Sequence, residues 1–249
     1  MKLITVMVSV LAFSLAAAAG CDRDEQPAGA GAADGAPAQR HAGRQGEDRV
    51  VTTQSLATTQ AAAAVRVVFL GDSLTAGLGV DADQAFPSLI EKALQEEGLP
   101  AQVVNGGVSG DTTAGGLRRL DWLLRQKPDV VVVGLGGNDG LRGLDPKASE
   151  ENLRAIVRKS RDAGADVLLL GMLIPPNYGT DYANQFRAMY PRLAKELNVP
   201  LVPFVLEGVG GEASLNQADG IHPTAEGHRL IAANILPQLR PLVRKHPAQ

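Results

Sequence analysis

Four short blocks of the 249-residue sequence hold residues of the types that move protons and stabilise charge: Gly71-Asp72-Ser73-Leu74-Thr75, Asn105 to Thr112, Gly134 to Asp139, and Asp219-Gly220-Ile221-His222-Pro223. A serine hydroxyl is a poor nucleophile until a base takes its proton, so Ser73 needs a histidine within reach. Of the four histidines, His41 lies in an Ala/Gly-rich stretch and His246 lies close to the C-terminus, where a frayed end is expected. His228 falls in an apolar helical pattern, where a solvated side chain is expected. His222 alone sits in a loop, three residues after Asp219, and a carboxylate at that spacing can fix the tautomer of the imidazole and stabilise its positive charge. Acyl transfer also needs donors aimed at the developing oxyanion. Gly110, in a Gly-rich turn, offers an unobstructed backbone N–H, and Asn138 offers a side-chain amide. Taken singly, each residue has a plainer reading: a helix cap for Ser73, a surface turn for Asp219 and His222, a turn former for Gly110 and Asn138. An Asp and a His with no further His or Cys make a poor transition-metal site.

Competing motifs fail on particular residues. Thr75 stands where a Gly-x-Ser-x-Gly elbow would have its last glycine, and Asp139 stands where a Gly-x-Gly-x-x-Gly run from Gly134 would end. The elements that must position the four blocks follow from the apolar pattern. Short apolar runs at Val65–Leu70, Ala101–Val104, Val130–Leu135, Val167–Leu170 and Leu201–Phe204 read as strands buried on both faces. Between and after them, apolar residues recur at helical spacing: Phe86, Leu89, Ile90 and Leu94; Leu117, Leu120 and Leu124; Leu153, Ile156 and Val157; Phe186 to Leu197; Ile231 to Leu242. This alternation predicts an α/β fold, a doubly wound, three-layer domain with a five-stranded parallel sheet. In the flavodoxin-like order 2-1-3-4-5, the first and third strands are neighbours at the switch point, so Ser73 and Asn138 would stand side by side beyond the strand ends.

Composition excludes some functions. The net charge is -3 and aromatics are 4% of residues, so neither a basic footprint nor a stacking platform for nucleic acid is present. The single Cys cannot close an intramolecular disulfide. Residues 1–20 carry Lys2 and an uncharged apolar run from Leu3 to Ala19, which reads as a secretory signal. Ala18-Ala19-Gly20-Cys21 resembles a bacterial lipobox, which makes Cys21 a candidate for acylation and membrane anchoring. Residues 21–64 are rich in Ala, Gly, Gln and Asp and read as a disordered tether. Residues 65–249 form the expected domain.

The four blocks together resemble those of the SGNH, or GDSL, hydrolase family: Gly71 to Leu74 the nucleophile block, Gly110 the glycine block, Gly136 to Asp139 the asparagine block, and Asp219 to His222 the acid and base block. The resemblance spans nearly all of Val65 to Val243. Val108 to Thr112, Gly136 to Arg142, Pro176 to Gly179 and Asp219 to Pro223 are similar to the bacterial thioesterase I, protease I and lysophospholipase L1 (arylesterase) branch. The resemblance implies the SGNH hydrolase fold and a serine esterase of broad specificity that works through an acyl-enzyme; a monomer is expected, though not from the resemblance. Aryl esters, acyl thioesters or lysophospholipids would be its substrates, with no metal and no organic cofactor. It assigns Ser73 as nucleophile, His222 as base and then acid, and Asp219 as its orienting partner. The N–H groups of Ser73 and Gly110 and the Asn138 side chain would bind the oxyanion. Loops bordering the acyl chain in that branch correspond to Gly140–Leu144 and Ile174–Pro176, which marks Leu141, Leu144, Ile174 and Pro175 as substrate-binding residues. The branch is freely periplasmic, and the lipobox-like start and tether depart from it. A carbohydrate O-acetylesterase of the same superfamily is the alternative, disfavoured by the scarcity of aromatics. A non-catalytic binding lipoprotein is a second, disfavoured because every catalytic residue type is present.

Overall fold

The computed structural model describes residues 64–246. The expected signal segment 1–20, the candidate acylation residue Cys21, His41 and the expected tether up to residue 63 lie outside the described residues. Five strands form one parallel sheet in the order β2-β1-β3-β4-β5, with β1 at Val65–Gly71, β2 at Ala101–Gly107, β3 at Val130–Gly134, β4 at Asp166–Leu170 and β5 at Leu201–Val202. This is the expected order. Val130 to Val133 are all buried because β3 lies inside the sheet with helices on both faces. The edge strand β2 departs from the expected continuous burial, with Gln102 and Asn105 exposed. The other edge strand, β5, is shorter than the apolar run Leu201–Phe204 suggests, since Pro203 has no N–H to contribute to a ladder.

Two helices, α1 at Ser73–Ala76 and α4 at Gly137–Leu141, are too short for periodicity to reveal and follow β1 and β3 directly. The longer helices are α2 at Phe86–Glu96, α3 at Thr113–Leu124, α5 at Pro146–Asp162, α6 at Thr180–Leu197 and α7 at Ala225–Lys245. Their starts follow local chemistry. Thr112, Asp145 and Thr224 cap α3, α5 and α7 by accepting N–H bonds from Gly115, Lys147 and Gly227, and Pro146 opens α5 with a pre-set φ. Helices α2 and α7 pack together on one side of the sheet, and α3, α5 and α6 form the other layer. Phe69, Phe86, Ile90 and Ile231 are buried in the core, as are Leu120, Ile156 and Phe186.

Helix α2 has no side-chain cap from its own N-cap residue, because Ala85 offers no acceptor. His228 of α7 supplies it from a distance: its Nδ1 accepts the Phe86 N–H at 3.3 Å, and its ring stacks on Phe86. The expected solvated side chain is therefore corrected, since His228 is fully buried, and its apolar surroundings override the polar character of the ring. His246 is also not frayed; it is paired with Asp166 at 2.7 Å, beside Lys245 at 2.8 Å on the same carboxylate.

Burial pushes His228 down from 6.5 to about 4. The unfolded chain then binds the extra proton between these values, so the His228 contribution is intact above about pH 6.5, falls as pH is lowered, and is lost below about pH 4. The full loss is of order 3 kcal/mol. Buried Asp72, treated below, titrates in the opposite sense, so the comparison must be between wild type and His228→Gln. Urea midpoints should favour wild type at pH 7.5, and that advantage should shrink by pH 5. A constant difference across this range would contradict the assignment.

Candidate functional site

Beyond the ends of β1, β2 and β3 the chain turns sharply, and the turns carry the polar blocks. At Gly71 a Cβ would lie 1.9 Å from the Thr75 side chain, so only glycine lets β1 turn directly into α1. Asp72 caps α1 through the Leu74 N–H at 3.1 Å, which places Ser73 at the first helical position. Ser73 Oγ lies 2.9 Å from His222 Nε2, and His222 Nδ1 lies 2.6 Å from Asp219 Oδ2. The other oxygen of Asp219 accepts the N–H groups of Ile221 and His222 at 2.9 and 3.0 Å. These hydrogen bonds, that with the His222 ring foremost, hold the Asp219 carboxyl well below the usual carboxylate range although it is exposed. An ionised Asp219 places the ring proton on Nδ1 and leaves the Nε2 lone pair facing the Ser73 hydroxyl. The loop is braced from within: Gln217 N–H bonds the His222 carbonyl at 2.7 Å, and the Asn216 side chain bonds the carbonyls of Val209 and Glu212.

Asn138 stands on α4, beyond the end of β3. Because Gly71 and Gly134 are register partners on adjacent strands, Asn138 comes beside the Ser73 turn, as the strand order predicts. Its Nδ2 donates to Asp72 Oδ2 at 3.3 Å, which fixes the amide and leaves its second hydrogen free of that bond. Asp72 was not singled out by the sequence reasoning. It is 3% exposed, and burial raises its carboxyl to about 6, against the opposing pull of the Leu74 N–H, its own N–H, His222 and Asn138. Gly110 lies beyond β2, in a turn closed by Asp111 N–H on the Val108 carbonyl at 3.0 Å, and its φ of 77° favours glycine. The Arg142 guanidinium bonds the Gly110 carbonyl at 2.9 Å. Ser73, Gly110 and Asn138 thus follow three adjacent strand ends, with Ser73 in the middle.

A cleft of about 480 Å³ opens at Ser73, Asn138 and His222. Its wall is mostly apolar. Of the expected substrate-binding residues, Leu141, Ile174 and Pro175 line it. Leu144 does not, and that expectation is corrected: α4 ends at Leu141, the chain turns at Gly143 with φ of 64°, and the Leu144 carbonyl is held by the Tyr182 hydroxyl at 2.7 Å. Sequence reasoning missed Met172, Leu173, Phe204, Leu206 and Ile221, which complete the wall. Ile221 could have been found as the apolar residue inside the Asp219–His222 block. Among the described residues, no group of three or more His, Cys, Asp or Glu side chains is gathered to hold a metal ion, and no helix is long and apolar enough to cross a membrane.

This geometry can draw a proton from Ser73 while holding an acyl chain nearby, and comparison with known proteins points the same way. Residues 69–230 match the family described as GDSL-like lipase/acylhydrolase. The chain is 48% identical to esterase TesA of Pseudomonas aeruginosa over 186 residues, 74% of this chain and 92% of that protein. It is 46% identical to thioesterase 1/protease 1/lysophospholipase L1 of Escherichia coli K12, covering 76% of this chain and 89% of that protein. The crystal structure of psychrotrophic esterase EstA from a Pseudoalteromonas species, inhibited by monoethylphosphonate, superposes with a TM-score of 0.68 at 33% identity, over 72% of this chain and 98% of that one. The chain belongs to the GDSL-like lipase/acylhydrolase family and is a carboxylic ester hydrolase.

Proposed function

We propose that the protein is a serine esterase of broad acyl specificity, acting on aryl esters, acyl thioesters or lysophospholipids through a covalent acyl-enzyme on Ser73. The observation that carries this reading is the chain of contacts from Ser73 Oγ to His222 to Asp219 at the mouth of an apolar cleft. As Ser73 Oγ bonds to the acyl carbon, its proton passes to His222 Nε2, and the ionised Asp219 stabilises the resulting imidazolium. The carbonyl oxygen takes up the electron pair and is met by the N–H groups of Ser73 and Gly110 and by the Asn138 amide. Collapse of this intermediate breaks the bond to the leaving oxygen or sulfur, which receives the proton from His222. A water molecule then repeats the sequence: His222 takes its proton, its oxygen bonds to the acyl carbon, and the acid leaves as the proton returns to Ser73.

The cleft wall suits an acyl chain better than a sugar. Phe204 is the one aromatic residue among the described residues that line it, which disfavours the O-acetylesterase alternative. The printed names of the relatives, esterase, thioesterase and lysophospholipase, support the substrate range. The proposed setting is the bacterial cell envelope, with the protein exported and anchored to a membrane as a monomer through acylated Cys21, facing the periplasm or the exterior. The apolar run Leu3–Ala19 ahead of Gly20-Cys21 supports that setting.

A fluorophosphonate probe tests the chemistry, since it reacts with an activated serine. Protein from cells fed a palmitate analogue should carry the phosphonate on Ser73 and the lipid on Cys21, and hydrolyse p-nitrophenyl hexanoate far better than an acetylated oligosaccharide. Phosphonate elsewhere or nowhere would sink the nucleophile assignment, and a Cys21→Ser protein that still carries the lipid would sink the anchor.

A further inference from the structure

Asp139 follows Asn138 in α4, yet its side chain is bonded to α3 and α5 and not to the cleft residues. The carboxylate is 1% exposed and grips Thr113 with both oxygens: Oδ2 accepts the Thr113 N–H at 2.9 Å, and Oδ1 accepts the Thr113 hydroxyl at 2.5 Å. The Ser149 hydroxyl donates to Oδ1 at 3.0 Å, and the Asn152 amide donates to Thr113 Oγ1 at 3.1 Å. Thr113 opens α3, three residues after Gly110. Arg142 closes α4 and holds the Gly110 carbonyl at 2.9 Å. The short helix bearing Asn138 therefore holds the Gly110 segment at two points, one buried and one exposed.

We propose that Asp139 and Arg142 are positioning residues that set the placement of the Gly110 N–H against the Asn138 amide, so that both donors meet one oxygen. The proposal rests on the reading of Gly110 and Asn138 as oxyanion donors. Glycine has little intrinsic preference for one backbone conformation, so a Gly110 N–H held by its own turn alone would be poorly aimed. The Arg142 bond restrains the peptide on the far side of Gly110, and the Asp139 bonds restrain the start of α3. A carboxyl group suits the buried position because its two oxygens can take both donors of one threonine. An amide in its place would turn an NH₂ group against one of them.

The test uses Arg142→Ala, Thr113→Val, Thr113→Ser and Asn138→Ala in the full chain. Kinetics on p-nitrophenyl hexanoate are read beside affinity for an alkyl boronic acid, whose adduct with Ser73 is a tetrahedral anion. Arg142→Ala should lower kcat roughly 5-fold and Thr113→Val roughly 10- to 50-fold, with KM within about twofold and boronate affinity falling in step. Thr113→Ser keeps the hydroxyl and should restore both. In an Asn138→Ala background the Arg142→Ala effect should shrink, because the two act on the same oxygen. If Asn138→Ala lowers kcat while Arg142→Ala and Thr113→Val change only the denaturation midpoint, this proposal fails and the oxyanion reading stands. If Asn138→Ala itself leaves kcat intact, the oxyanion reading has failed first. Should Thr113→Val not fold, Arg142→Ala decides, since that side chain is exposed.

Discussion

Ser73→Ala and His222→Ala are each expected to lower turnover of p-nitrophenyl hexanoate by roughly 10⁴-fold or more, with the fold intact. The magnitude follows from the geometry. Ser73 Oγ and His222 Nε2 are 2.9 Å apart, so removing either atom removes the proton transfer and the nucleophile as a unit. The double variant should consequently be little worse than either single one, since what remains comes from substrate binding and the oxyanion donors. Asp219→Asn should be milder but still large, because an amide can no longer stabilise the imidazolium or enforce the Nδ1–H tautomer. Neither Ser73 nor His222 belongs to the hydrophobic core, so the denaturation midpoint should move little in either variant. His228→Ala is the informative contrast: it removes the acceptor for the Phe86 N–H and should cost stability while leaving turnover per folded molecule close to wild type. Turnover above about a tenth of wild type in His222→Ala would exclude it as the base, because the expected loss spans orders of magnitude.

Asn138→Ala should reduce kcat roughly 10²- to 10³-fold while KM changes little, because the oxygen it meets carries full negative charge only in the transition state. A capping role would give another pattern, about 1 kcal/mol of lost stability with activity preserved. The structure weakens the capping alternative, since the residue preceding α4 is Gly136 and no side chain caps that helix. The Asn138 amide instead bonds Asp72 at 3.3 Å, linking α4 to the nucleophile turn. Its loss should therefore cost some stability as well, of order 1 kcal/mol for one hydrogen bond. The decision lies in turnover: kcat and the urea midpoint measured on one Asn138→Ala sample separate the roles, and a shifted midpoint with unchanged kcat would remove Asn138 from the site.

The sheet and its order were legible because buried parallel strands must be apolar runs, and right-handed crossovers leave few ways to arrange five of them. The residues that meet around Ser73 were legible for a related reason: Gly71, Gly107 and Gly134 end their strands at matching register, so whatever follows each one gathers at one edge of the sheet. His222 and Asp219 could be paired from their spacing because a three-residue loop contact is local. Contacts between distant segments were not written in any local period. His228 reads as an ordinary polar residue on a helix, and only the packing of α7 against α2 buries it and makes it a cap. The bond from Asp72 to Asn138 spans 66 residues and that from Arg142 to Gly110 spans 32, and both depend on where short helices settle beyond the strand ends. The place of Leu144 was decided in the same way, by a turn at Gly143 and a hydroxyl on α6. Sequence by itself determined which residue types stand at the strand ends, because hydrophobic periodicity and turn chemistry act over a few residues. Tertiary structure decided which of them touch, because a hydrogen bond tolerates only a few tenths of an ångström, and that precision comes from packing of the whole domain.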